Sequence, residues 1–315
     1  MTADGGLSIT DNVALRVIGA PALQRAGNII ITDSPALDEL RRFDALTTAD
    51  NVLLRSLPAL VVVDDVQELA SLNITSDNVL SLAGLENLDV VAGDYRVNNC
   101  PVTGDLSALA GLQEVRGTFS WNNNQNANLG VVAALTTIGT LDLANTTMTA
   151  TFPALASLGE ARLANVILDG AGALPFPLVT DLPQGLELRT VTAVDGLFAL
   201  SSVVGDVVIE GASDPDVLVT DLLGGVVFGD FAGRIELRGM GLNDLSSLST
   251  LTSARELVHF GLGFIDLSAL AAIETVTDLL VIDSNIVNQA DADAFLLGLD
   301  PPPAAATVQN NGIPG

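Results

Sequence analysis

Apolar and polar residues alternate along this chain in short bursts, and the bursts recur. "GDYRV" (93–97), "GTFSW" (117–121), "GTLDL" (139–143), "GEARL" (159–163), "GDVVI" (205–209) and "GRIEL" (233–237) share one form, an opening glycine followed by residues that point alternately in and out. "GLSI" (6–9), "NIII" (28–31), "NVLL" (51–54), "SLNI" (71–74), "GLEL" (185–188), "ELVH" (256–259) and "LLVI" (279–282) bring the count to thirteen, spaced by about 20 to 27 residues. A period of two predicts strands. Strands this short cannot stand alone, so each must pair with the next coil in a long parallel sheet.

Between bursts the apolar residues keep a period of three: Leu37, Leu40, Phe43, Leu46; Leu82, Leu85, Leu88, Val91; Leu267, Leu270, Ile273, Val276. An α-helix would let such a row drift around its axis, whereas a 3₁₀ turn or an extended three-residue screw keeps it on one side. The predicted fold is therefore mainly β: a single right-handed parallel β-solenoid over residues 1–287, about thirteen coils, with little α-helix. Glycines at the openings fit corners where the backbone turns tightly or takes positive φ. Residues 288–315 break the pattern and are expected to form a C-terminal cap and tail. Asp291 or Asp293 would cap a short helical turn over "AFLLGL" (294–299), and "PPP" (301–303) would stop it.

A "G-x-L-x-I-x-x-N" strand followed by leucines three apart resembles the leucine-rich-repeat and receptor L-domain class. "NDLSSLSTLTSARELVHF" (243–260) is similar to the 22-residue repeat of internalin-type bacterial surface proteins, and "GDYRVNNCPVTGDLSALAGLQEVRGTFSWNNN" (93–124) to receptor L-domain coils. The resemblance covers nearly the whole chain. It implies a solenoid from a bacterial cell-surface or secreted protein and implies no particular activity. Asn99, Asn145, Asn165 and Asn285 fit the asparagine position of such repeats, with Gly211, Gly239 and Gly261 at related places.

Composition narrows the partners. The chain is 49% hydrophobic but only 4% aromatic, so its core is aliphatic. The longest apolar run, "LPALVVV" (57–63), falls far short of the roughly 20 residues a bilayer helix needs, so no membrane insertion is expected. A net charge of −26, from 38 acids against 12 bases that are all arginine, repels nucleic acid and anionic membranes. The opening "MTADGGLSIT" has neither the basic nor the apolar region of a signal peptide, so an extracellular location is implied only by the resemblance.

Candidate chemistry is sparse. His259 is the only histidine and Cys100 the only cysteine, and both fall at slots better suited to a core than to catalysis. No phosphate loop, nucleophile elbow or zinc spacing occurs, so no enzymatic activity and no cofactor are expected. Calcium is the one ion worth weighing, with Asp214 and Asp216 of "SDPD" (213–216) as the best ligands against a plain solvated turn. Trp121 and Tyr95 are assigned inward, which removes the aromatic platforms of a carbohydrate-active enzyme.

The outward face carries more information. Five of the twelve arginines (55, 96, 162, 189, 238) fall on it, amid Asp142, Glu187, Glu210 and Glu236, as a cross-strand ion ladder or a recognition strip. Toward the C-terminus Val258, Phe260, Leu280 and Ile282 are read as outward and apolar, either beneath the cap or as a partner surface together with Arg189 and Arg238. The expected function is a non-enzymatic extracellular recognition or adhesion module presenting its sheet to a protein or glycan. The alternative is a structural spacer or self-associating surface element.

Overall fold

The computed structural model describes residues 2–3, 5–37, 39–41, 46–57, 68–75, 85–100, 109–124, 132–148, 152–168, 175–193, 199–211, 226–239, 246–261, 267–283 and 288–311. Strand makes up 53%, and the chain is a mainly β, parallel β-solenoid. Each of the thirteen predicted rungs overlaps a strand. These strands are β1 (Leu7–Thr10), β2 (Arg25–Thr32), β3 (Thr48–Arg55), β4 (Glu68–Thr75), β5 (Tyr95–Asn98), β6 (Glu114–Asn122) and β7 (Thr137–Met148). The series continues with β8 (Ser157–Leu168), β9 (Gly185–Arg189), β10 (Asp206–Glu210), β11 (Gly229–Arg238), β12 (Leu251–Phe260) and β13 (Thr275–Asp283). A further rung, β14 (Ala305–Gln309), lies in the segment expected to be cap and tail. The solenoid makes about nine turns, fewer than the thirteen coils expected, and the returns of several rungs fall outside the described residues.

The chain divides into two compact units. In the first (1–158 with 166–171), parallel register runs Ile9, Ile31, Leu54, Ile74, Val97, Trp121, Leu143. From Ile31 onward every member of that row is buried. In the second (159–165 with 172–315) the corresponding row is Leu163, Leu188, Ile209, Leu237, His259, Ile282, Val308, buried as far as Ile282. Each aliphatic side chain in these rows is worth roughly 1.5–3 kcal/mol of burial, and most of that burial comes from the rungs on either side.

The period of three between rungs is a hydrogen-bonded turn with both ends in the core. The N–H of Leu88 donates to Leu85, Leu112 to Leu109, Leu135 to Val132, Leu155 to Phe152, Val179 to Phe176, and Ile273 to Leu270. All of these ends are buried. An i to i+3 bond brings its two flanking side chains to the same side, so one turn closes the coil without a helix. Longer 3₁₀ pieces occur at Ser246–Leu248 and Leu267–Leu270.

Among the described residues, most rungs lead into a left-handed corner. Asp11, Asp33, Ser56, Asn99, Asn123, Asn145, Asn165 and Thr190 all have φ between 50° and 56°, and Gly239 and Gly261 also have positive φ. Asn, Asp and Gly tolerate this conformation best, which explains the residue types that follow the strands. The corner N–H bonds to the next rung, as from Asn99 to Asn122 and from Asn123 to Ala144. The asparagine amides form a second ladder, Asn123 Nδ2 donating to Asn99 Oδ1 at 3.0 Å and Asn145 Nδ2 to Asn123 Oδ1 at 2.7 Å. Asn285 lies outside the described residues.

Of the glycines that open the rungs, Gly185 takes the positive φ expected, whereas others are required by close backbone approach. Gly139 and Gly205 do not have positive φ; a Cβ at Gly139 would sit 2.3 Å from the carbonyl oxygen of Arg116, and one at Gly205 2.0 Å from that of Gln184. The rungs bend here through bulges, as between Val115 and Thr118, and the bend presses backbone on backbone. The C-terminal helix, α1 (Gln289–Gly298), starts earlier than predicted and is capped by Asn288, whose Oδ1 accepts from the Ala290 N–H, and not by Asp291 or Asp293. Asp291 lies in its first turn, where the helix dipole favours an acid.

Gly139→Ala should lower stability by about 1–3 kcal/mol, because the obstructing atoms are backbone. Gly298→Ala, with nothing within 4 Å of its added methyl, should be neutral or stabilising. Thermal melts of the two variants check the contrast.

Candidate functional site

The outward face of the first unit is knitted by its own side chains. Ser120 Oγ lies 3.1 Å from Asn98 Oδ1 and 3.0 Å from Asp142 Oδ2, and Asn122 Nδ2 donates to the same Asp142 oxygen at 2.9 Å. Ser120 is wholly buried although its register position points outward. Most polar atoms of this cluster satisfy one another, Asn122 Oδ1 being a buried exception, so the cluster has little left to offer a ligand.

The arginines behave alike in both units. Arg96 pairs with Asp94 at 2.8 Å, Arg116 with Glu114 at 2.9 Å, Arg162 with Glu160 at 2.8 Å and Arg189 with Glu187 at 2.5 Å. Arg234 and Arg238 both reach Glu236. Each of these partners is two residues away along the chain, so the ladder runs mainly along rungs and less often across them, as between Arg189 and Glu210 at 2.7 Å. Of the acids expected in the ladder, Asp142 is held by Ser120 and Asn122. Burial alone would raise the Asp94 carboxyl, but the Thr118 N–H and the Arg96 guanidinium outweigh it and hold the group below the ordinary aspartate range.

The predicted apolar patch is corrected in part. Leu280 and Ile282 are fully buried core residues, not surface ones. Register pairs Leu257 with Leu280, Val258 with Val281, His259 with Ile282 and Phe260 with Asp283, so the outward residues of β13 are Val281 and Asp283. The strand reads Leu279, Leu280, Val281, Ile282 without a polar break, so alternation cannot mark its inner face. Val258 does lie in the outward row, between Glu236 and Val281, yet it is only 3% exposed.

Phe260 remains exposed, at 42%. The Arg238 guanidinium sits 5.7 Å from its ring centroid, a cation–π contact worth about 0.5–1 kcal/mol at an exposed site. Arg238 is held from below by Glu236, which is nearly buried between Arg234 and Arg238. Arg189, Glu210, Arg238, Phe260 and Asp283 thus form one outward row across β9 to β13, with its polar members held in place. Among the described residues, Phe260 is the one exposed large apolar side chain that lies on a rung.

The remaining candidates are structural or not described. Cys100 is buried and its N–H donates to Asn124 Oδ1 at 2.8 Å. Tyr95 and Trp121 are inward and fully buried, Tyr95 stacked on Phe119 with centroids 5.3 Å apart, and burial pushes the Tyr95 phenol up. Asp214 and Asp216 lie outside the described residues. Among the described residues no group of three or more His, Cys, Asp or Glu is placed to hold a metal ion, and no helix is long and apolar enough to cross a membrane. Sequence reasoning missed one concavity, a groove of about 330 Å³ at the bulges of β11 to β13, lined by Asp230, Phe231, Ser253, Arg255, Thr275 and Thr277 among others. Its only signal in the sequence is the extra length of these rungs ahead of the alternating core.

Together the stacked rungs, left-handed corners and ion-paired face define a repeat protein of the parallel β-solenoid class. No protein-family model matches the chain, and comparison with curated proteins finds no relative.

His259 makes the second unit sensitive to acid. It occupies the core row between Leu237 and Ile282, and burial pushes its pKa down from 6.5 to about 4. The folded state holds it neutral, while the unfolded chain takes up a proton below pH 6.5. Stability is therefore complete above that pH and lost as pH falls toward about 4, by on the order of 3 kcal/mol. His259→Leu, which repeats the Leu237 below it, should flatten denaturant-measured stability between pH 6.5 and 4.5 relative to the parent.

Proposed function

We propose that the chain is a non-enzymatic recognition module of leucine-rich-repeat or receptor L-domain type, working outside the cell, and that its second unit meets a protein or glycan through Phe260 and Arg238, with Arg189 alongside. Exposed Phe260 beneath a positioned guanidinium carries this reading: an aromatic ring and an arginine, both held in place before binding, lose little side-chain entropy on contact and are the residue types that dominate binding energy at interfaces. The net charge of −26 makes that partner neutral or basic and disfavours polyanions. A second reading, a spacer or self-associating surface element, is favoured by the arginines: eight of them (55, 96, 116, 162, 189, 234, 238 and 255) are ion-paired within the chain.

Titration of the chain onto a glycan array and onto intact bacterial and animal cells tests the proposal. Phe260→Ser should weaken saturable binding by roughly tenfold or more while shifting the melting temperature little. Concentration-dependent assembly by light scattering, with no saturable binding to any surface, would instead leave the spacer reading.

A further inference from the structure

We infer that the second unit carries a saccharide-binding groove, distinct from the Phe260 face, in the bulges that open β11, β12 and β13. Register lays Asp230, Ser253 and Thr275 side by side and sets Phe231, Ala254 and Val276 in the next row inward. The register then slips between Phe231 and Arg234 on β11 and between Ala254 and Glu256 on β12. Two adjacent bulges bend the strands together and leave a hollow of about 330 Å³ with Phe231 in its floor. That volume lies at the small end of ligand pockets and accommodates one or two sugar rings.

The groove differs from the rest of the sheet in what its polar atoms do. On the faces, most carboxylates, amides and guanidinia are consumed by one another. Here Asp230 Oδ1 accepts from the hydroxyls of Thr252 at 2.9 Å and Ser253 at 3.2 Å, which fixes the carboxylate, while Oδ2 has no bond among the described residues. The hydroxyls of Thr275 and Thr277 make none either. Arg255 forms another part of the lining, anchored on Glu256 at 2.7 Å and reaching Asp206 at 3.5 Å and Asp278 at 3.9 Å.

A fixed carboxylate oxygen, two uncommitted hydroxyls, a guanidinium edge and an apolar floor match the alternating hydroxyls and C–H faces of a sugar ring. Acids outnumber arginine around the hollow, so a neutral saccharide is accepted and a uronate repelled. The site stands independently of the Phe260 reading, since none of its residues belongs to that row.

Amide shifts of the isotopically labelled chain, titrated with methyl glycosides of glucose, galactose, mannose and N-acetylglucosamine, and with glucuronate and spermidine, test the inference. At least one neutral glycoside should give saturable shifts centred on residues 230–232, 253–255 and 275–277, and glucuronate none. Asp230→Ala and Thr277→Val should each weaken that binding by roughly tenfold with melting temperature unchanged. Thr277→Val serves if Asp230→Ala disturbs the fold, because its hydroxyl is exposed and makes no bond. Phe260→Ser should bind the sugar like the parent, which separates failure here from failure of the face. Shifts with spermidine alone, shifts elsewhere, or no response to any neutral glycoside would overturn the assignment.

Discussion

Everything in this molecule depends on rungs that are complete only in company. A strand of four or five residues leaves its N–H and C=O groups open on both edges and its two inward side chains half covered. The neighbouring rungs close both, by parallel pairing and by burial of the same two columns. The left-handed corner lets this continue, because it turns the chain while sending its N–H to the next rung. An asparagine there adds a side-chain amide hydrogen bond between coils, as Asn99, Asn123 and Asn145 do.

The same economy shapes the surface. With rungs stacked at strand spacing, outward side chains stand close enough to bond along and between strands, and the arginines meet acids two residues away. Such exposed pairs add little stability individually. They orient side chains and leave the face electrically quiet, so the places where something remains uncommitted stand out. One is Phe260 under Arg238; the other is the bulged groove.

The legibility of these features in the sequence differed for physical reasons. Strand positions and the inner columns through β12 followed from alternation, since a residue such as Glu236 between Ile235 and Leu237 can point only one way. In β13 four apolar residues in a row removed that information, and Leu280 and Ile282 were placed on the wrong face. The turns between rungs were legible because a period of three has few realisations. The N-cap was misplaced because Asn288, Asp291 and Asp293 are all competent caps, and backbone geometry chose among them. Of the candidate site, Phe260, Arg189 and Arg238 were legible as outward residues, whereas the groove was not, since it joins residues more than twenty positions apart through bulges without a residue signature.

By itself the sequence determined a mainly β solenoid, the position of thirteen of the fourteen rungs, an aliphatic core and a lysine-free acidic surface, because these follow from local periodicity and composition. Only the tertiary structure decided the register of β13, the close backbone approach at glycines such as Gly139 and Gly205, the pairing of most ion-paired arginines along their own rungs, and the opening of the groove. Those features depend on which atoms of one coil land against the next, and that spacing is set by the bulges and corners of neighbouring coils, not by the residues of any one rung.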